Sequence, residues 1–154
     1  MSLKVKSLTQ LKEIISRDKA KGKKIVFTNG CFDILHRGHV EYLAKAKKLG
    51  DILVVGLNSD ASVKCIKGSK RPVNNERDRA VVLSGLESVD YIVIFKEDTP
   101  YVLIKTIKPD VLVKGGDWKP KDIVGNDIVK KVVSIPFVKG YSTTKLLCKV
   151  NYSG

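Results

Sequence analysis

Apolar positions along the chain alternate between helical and strand-like rhythms. Leu8, Leu11, Ile14 and Ile15 recur at helical spacing behind Ser7, which predicts a serine-capped helix as far as Arg17. Lys24–Thr28 predicts a short buried strand. Val40–Leu49 is amphipathic at helical spacing and stops at Gly50, a helix terminator. Ile52–Leu57 is apolar without alternation, the pattern of a strand covered on both faces. A helix over Asn75–Leu86, a strand over Tyr91–Phe95 and a helix from Thr99–Pro100 to Ile107 follow. In the last of these, Thr99 is the expected cap and Pro100 the first helical residue. Val111–Val113 and Val132–Ile135 predict two more strands, and Ser142–Val150 predicts a closing helix. Strands and helices alternate throughout, so the expected architecture is α/β: a parallel sheet with right-handed crossovers and helices on both faces. Ligands of such sheets bind outside the carboxyl ends of the strands, where strand order reverses. The chain is expected to form one domain over residues 1–154, with 1–23 as an N-terminal helical extension.

Composition narrows the class. With 154 residues, 43% of them hydrophobic, the chain is the right size for one core and is not expected to be disordered. No apolar run reaches the length of a membrane span, and Met1–Lys6 lacks the apolar stretch of a secretion signal. Cys31, Cys65 and Cys148 are scattered and odd in number, which argues against a disulfide framework or a thiolate zinc site. A cytoplasmic location is the expectation. Lys and Arg total 29 against 16 Asp and Glu, a net charge of +13. That charge attracts anions without choosing among them, and part of it serves solubility. The charge alone suggests a nucleic-acid-binding module as a distant alternative, but an RNP-type aromatic sheet, a KH-type clamp and a basic recognition helix are all missing, so nucleic acid is not an expected partner.

Four segments carry candidate chemistry. The first, Thr28–His39, leaves the first strand and enters the next helix with Asn29, Gly30, Phe32, Asp33, His36 and His39. These two histidines, the only ones in the chain, lie three apart at a helix N-terminus, where free N–H groups and the dipole favour an anion. Imidazole donors there suit a phosphoryl group in transfer. A zinc site with Cys31 or Asp33 is a competing reading, but Cys-x4-His-x2-His is not a familiar four-ligand spacing. Nor do the glycines form the GxGxxG pattern of a dinucleotide-binding dehydrogenase. The second segment, Lys64–Arg79, holds several cations and is expected to be a mobile basic loop running into a helix. Guanidinium forks match phosphate oxygens in pairs, so a basic loop followed by arginines on a helix suits a phosphate clamp. The third, Val113–Trp118, places Gly115, Gly116 and Asp117 after a strand. The fourth, Gly140–Thr144, opens the last helix with Tyr141, Ser142 and Thr143; Ser142 is an expected N-cap, and hydroxyls at a helix start also suit phosphate.

The stretch KIVFTNGCFDILHRGHVEY (Lys24–Tyr42), with KPDVLVKGGDW (Lys108–Trp118) and GYSTT (Gly140–Thr144), resembles the cytidylyltransferase-like family of HxGH nucleotidyltransferases. The likeness runs from about Lys24 to Val150. HxGH by itself is a short pattern, but the three motifs in this order and spacing are specific. The resemblance implies a Rossmann-like fold and transfer of AMP from ATP to a sugar 1-phosphate, D-glycero-β-D-manno-heptose 1-phosphate, giving ADP-heptose and pyrophosphate. Glycerol-3-phosphate cytidylyltransferase, or adenylyl transfer to another small acceptor, is the alternative within the family. By the same resemblance His36 and His39 are catalytic and hold the α-phosphate, with Lys67 and Arg79 on the phosphates and acceptor and Lys64 beside them. Asn29, Gly30, Phe32 and Asp33 also contact nucleotide, as do Gly115 and Asp117 on the base side. Tyr141, Ser142 and Thr143 serve the β- and γ-phosphates. Mg²⁺ is expected to arrive with ATP, bound through the phosphates rather than by protein ligands. Lys145 stands where the family pattern has asparagine. A homodimer is expected by analogy only.

Overall fold

The computed structural model describes residues 3–151; both ends of the expected 1–154 span lie outside the described residues. The elements in chain order are α1 (Leu8–Ala20), β1 (Ile25–Gly30), α2 (Arg37–Lys47), β2 (Ile52–Asn58), α3 (Asp60–Lys67) and α4 (Glu76–Ser84). They continue with β3 (Tyr91–Phe95), α5 (Tyr101–Ile107), β4 (Val111–Gly115), a 3₁₀ turn (Pro120–Asp122), β5 (Lys131–Ile135) and α6 (Thr143–Asn151). The five strands form one parallel sheet in the order β3-β2-β1-β4-β5. This is the Rossmann-like α/β arrangement. From β1 the chain winds outward through β2 to β3, then returns past β1 to β4. The carboxyl ends of β1 and β4 therefore flank the place where strand order reverses, and a crevice opens there.

The sheet is covered on both sides, which explains the unbroken apolar runs. In β1, Val26 packs into the layer of Leu43, Ala80 and Leu83 from α2 and α4. Its neighbours Ile25 and Phe27 point the other way, into the layer of Leu11, Ile15, Leu103 and Ile104 from α1 and α5. Side chains alternate across a strand, so a strand buried on both faces has no polar positions left to reveal its period. Helix α1 belongs to this core: Leu11 and Ile15 are fully buried, each contributing roughly 1.5–3 kcal/mol. Its start carries a complete capping box between Ser7 and Gln10.

Three local expectations need correction. Lys64 to Lys67, expected as the start of a mobile loop, belongs to the helix Asp60–Lys67, capped by Ser59, whose side chain accepts from the Ser62 backbone. It is short and buries only Ser62 and Val63, so its apolar spacing is too sparse to reveal it. Pro100, not Thr99, is the N-cap of α5. Strand β4 runs on to Gly115, which makes Lys114 a strand residue at the edge of the crevice.

Candidate active site

The crevice is a cleft of about 710 Å³. Its walls come from the exit of β1, the entrance of α2, the end of β4 and the segment leading into α6. Asn29, Gly30, Phe32, Asp33, His36, His39, Lys67, Gly115, Tyr141, Ser142 and Thr143 all line it, so most of the residues singled out from sequence converge.

At its centre is the histidine pair. His36 is the N-cap residue of α2, in extended conformation, and its side chain makes no capping bond. The rings of His36 and His39 stack with centroids 3.9 Å apart, and the edge of Phe32 meets His39 at 5.3 Å and 63°. Gly38 makes the stack possible: a Cβ there would lie 3.0 Å from the His36 ring and 3.2 Å from Cβ of Tyr141. Glycine at this position therefore provides space for the ring. Gly30 does the same for Phe32, whose ring a Cβ would meet at 2.9 Å.

Burial lowers the pKa of both histidines. His39 is driven down to about 4 by desolvation and, secondarily, by its neighbour His36. Both imidazoles are neutral near pH 7, each with one donor and one acceptor nitrogen. The Nδ1 atoms of both are buried without a hydrogen-bond partner. A buried polar atom left unpaired costs about 1–3 kcal/mol, so two together call for an explanation.

The basic segment divides in two. Asp33 is buried and holds Arg71 by a 2.6 Å ion pair, while also accepting from the backbone N–H groups of Val73 and Asn74. Those contacts keep its carboxyl ionised below the usual range against the upward push of burial. Asp33 thus anchors the loop rather than orienting a histidine or a metal. Arg79, expected on the substrate, is 2% exposed. Its guanidinium donates to the carbonyls of Asn74, Cys31 and Asn58 and pairs with Asp60 at 2.7 Å. It does not line the cleft, and its donors are taken up by these carbonyls and by Asp60. Lys64 is exposed and lines a separate shallow groove with Asp60, Asn74 and Asp78. Asp117 is exposed beside Gly115 and Trp118 but does not line the cleft.

On the far wall, Ser142 caps α6 as expected, its Oγ accepting from the Lys145 backbone at 3.1 Å. The Arg37 guanidinium lies 5.7 Å over the Tyr141 ring, and Glu41 holds its other side. Phe137 and Lys114 are among the cleft residues that sequence reasoning misses. Phe137 is 71% exposed, yet it lies across the glycine pair: a Cβ on Gly115 or Gly116 would come within 2.9 Å of its ring. The adjacent glycines signal a flat partner but cannot name it. Lys114 ends an apolar strand run and also lines the cleft; a cation at that position is the available signal. Among the described residues, no group of three or more His, Cys, Asp or Glu side chains converges to hold a metal ion. No described helix is long and apolar enough to cross a membrane.

Comparison with known proteins agrees with this geometry. The bifunctional protein HldE of a Nitratiruptor species is 65% identical over 136 residues, covering 88% of this chain and 29% of that protein. Its counterpart in Campylobacter concisus is 65% identical over 148 residues, covering 96% and 31%. The chain thus spans about a third of the length of the curated relatives it matches. Among solved structures, the lipopolysaccharide core biosynthesis protein of Thermoplasma volcanium superposes with a TM-score of 0.66 at 34% identity, covering 77% of this chain and 100% of that one. Pantoate-beta-alanine ligase of Francisella tularensis, solved with a β,γ-ATP ligand and β-alanine, shares the fold at 16% identity and a TM-score of 0.65. That match covers 97% of this chain and 77% of the ligase. The cytidylyltransferase-like family model matches residues 27–153, from the middle of β1 through α6, and the chain belongs to that family.

Proposed function

We propose that the chain is a nucleotidyltransferase that moves AMP from ATP to D-glycero-β-D-manno-heptose 1-phosphate, giving ADP-heptose and pyrophosphate. The observation that carries this reading is the neutral, stacked His36–His39 pair with unpaired nitrogens at the entrance of α2, in a cleft built from three motifs of a nucleotidyltransferase family. The heptose acceptor rests on the 65% identity to proteins named HldE. The Thermoplasma volcanium relative is named for lipopolysaccharide core biosynthesis, in keeping with a sugar acceptor.

The acceptor phosphate is anionic near neutral pH, so attack on the α-phosphorus needs no general base. The protein's part is positioning and charge stabilisation. Neutral His36 and His39 donate N–H bonds to the α-phosphate as charge builds on its oxygens. Ser142, Thr143 and the free N–H groups at the start of α6 receive the leaving pyrophosphate. Lys67 meets the acceptor side. Arg79 is a positioning residue that ties α4 to the exits of β1 and β2. Phe137, Trp118 and the Gly115–Gly116 turn form a flat apolar wall suited to the base. Membership of a nucleotidyltransferase family supports a divalent cation as a companion of the nucleotide. Mg²⁺, the expected ion, would neutralise phosphate charge while keeping most of its waters.

The test is pyrophosphate release with each of the four NTPs against heptose 1-phosphate and glycerol 3-phosphate. ATP with heptose 1-phosphate is the expected best pair. A preference for CTP and glycerol 3-phosphate would move the chain to the alternative within the family.

A further inference from the structure

Lys114 lines the cleft from the penultimate position of β4, just before Gly115. It is half-buried and makes no hydrogen bond or ion pair with any described residue. That separates it from Arg71 and Arg79, whose guanidinium groups are held by Asp33 and Asp60. The charged group that acts on it most adversely is another cation, Lys67, and burial already pushes its ammonium below the usual lysine range. Its favourable neighbour is only the Cys31 thiol, itself held protonated by burial. An ammonium taken partly out of water without a counter-charge is costly, and the fold supplies none. Register gives the location. Val113 stands opposite Thr28, so Lys114 adjoins the Asn29–Gly30 end of β1, from which the chain runs on to the histidine pair.

We propose that Lys114 is a further catalytic residue, whose ammonium holds a phosphoryl oxygen of the substrates at the junction of β1 and β4. This rests on the nucleotidyl-transfer reading above. The oxygen belongs either to the α-phosphate of the nucleotide or to the phosphate of the acceptor, and both present the same anionic chemistry. A phosphate there supplies the counter-charge that the protein lacks, and it brings Lys114 and Lys67 to bear on one anion.

The experiment compares wild type, Lys114→Met and Lys114→Arg by calorimetric titration with ATP and, separately, with heptose 1-phosphate. Ligand-free thermal midpoints and turnover are measured alongside. Lys114→Met should bind one of the two ligands roughly 10- to 100-fold more weakly, the range for a hydrogen bond to a charged group. Loss on ATP assigns the oxygen to the nucleotide; loss on heptose 1-phosphate assigns it to the acceptor. Turnover should fall with it, and Lys114→Arg should recover part of the affinity. The ligand-free midpoint of Lys114→Met should equal or exceed that of wild type, because an uncompensated cation is removed. Unchanged affinity for both ligands overturns the proposal. So does a lost affinity accompanied by a lowered midpoint and no recovery in Lys114→Arg, which would mark a structural lysine. Wild-type protein that binds both ligands but releases no pyrophosphate refutes the transfer reading, while the two titrations still decide Lys114. Wild-type protein that binds neither overturns both.

Discussion

The loop from Arg71 to Arg79 and the entrance of α2 are both dense in polar side chains, and they differ in how many partners those side chains have. Asp33, from the connection between β1 and α2, binds Arg71 and the loop backbone, and Arg79 donates to the carbonyls of Asn74 and Cys31. At the helix entrance, His36 and His39 leave their Nδ1 atoms unpaired, and nearby Lys114 has no counter-ion among the described residues. Residue type does not separate the two regions, since both hold groups able to bind phosphate. Satisfaction does. A buried polar group whose bonds are all made within the chain is scaffold. One left unmade beside a cleft marks a place where the chain alone does not complete the bonding.

The largest expected effect tests the scaffold side. Arg79→Ala leaves the carbonyls of Cys31 and Asn58 without their guanidinium donor and frees Asp60. Destabilisation of about 3–5 kcal/mol is expected, the range for breaking a buried pair. For a chain of this size that means a thermal midpoint lower by on the order of 10 °C. Sequence reading puts Arg79 on the substrate, which predicts lost turnover at an unchanged midpoint. Calorimetry of Arg79→Ala decides between the two, and an unchanged melting curve would erase the distinction between the regions.

The helix entrance should behave the opposite way. His36→Ala and His39→Ala remove donors that act in the transition state, so kcat should fall by about 10²–10³, roughly 2.7–4 kcal/mol, with a smaller change in KM. Because both act on one phosphate, the double variant should lose less than the product of the single losses. A zinc site predicts unfolding and metal loss instead. A folded, metal-free His39→Ala protein that transfers at the wild-type rate would refute the mechanism.

These contrasts show what the sequence can reveal. The strands and most helices are legible because apolar runs and caps are local signals, such as Ser7 with Gln10 and Ser142 before α6; Gly50, read as the terminator of α2, lies past its C-cap Lys48. Helix α3 is hidden by its two-residue buried face. Most of the cleft is legible too, because the chain threads its motifs onto the ends of adjacent strands. Arg79 misleads for a different reason. Its partners lie 5, 19, 21 and 48 positions away, and no local pattern distinguishes a guanidinium bound to carbonyls from one awaiting phosphate. Phe137 is invisible in the sequence because its seat, Gly115–Gly116, lies in a different strand connection.

A smaller effect probes that seat. Gly116 has φ +105°, and an added Cβ would lie 2.9 Å from the Phe137 ring. Gly116→Ala should cost about 1–3 kcal/mol of stability and also raise KM for ATP, because the ring must leave its place on the cleft wall. Gly22, at φ +77° with nothing within 4 Å, is the control. Gly22→Ala should show backbone strain in its melting curve and no change in KM. Equal KM values for the two variants would remove Phe137 from the nucleotide site.

The smallest effect is a pH dependence, and its sign follows from burial. His39 titrates at about 4 in the folded chain against an ordinary 6.5, and His36 is shifted in the same direction. Between those values the unfolded chain binds protons that the folded chain refuses, so stability should fall as pH drops from 6.5 towards 4 and be level with respect to these groups above 6.5. Asp33 does not confuse this window. Its carboxyl is shifted downward from 3.8, so the stability it contributes is lost only at still lower pH. Thermal midpoints measured from about pH 7 to 4 for wild type and His39→Gln should converge towards the acid end, since the variant lacks the group that resists protonation. Saturating ATP should reverse the shift, because a phosphate beside the ring favours the charged imidazole. NMR titration of His39 with and without nucleotide reads this directly. A ligand-free His39 titrating near its ordinary 6.5 would show that the ring is not desolvated, and a His39 indifferent to ATP would show that it does not contact phosphate.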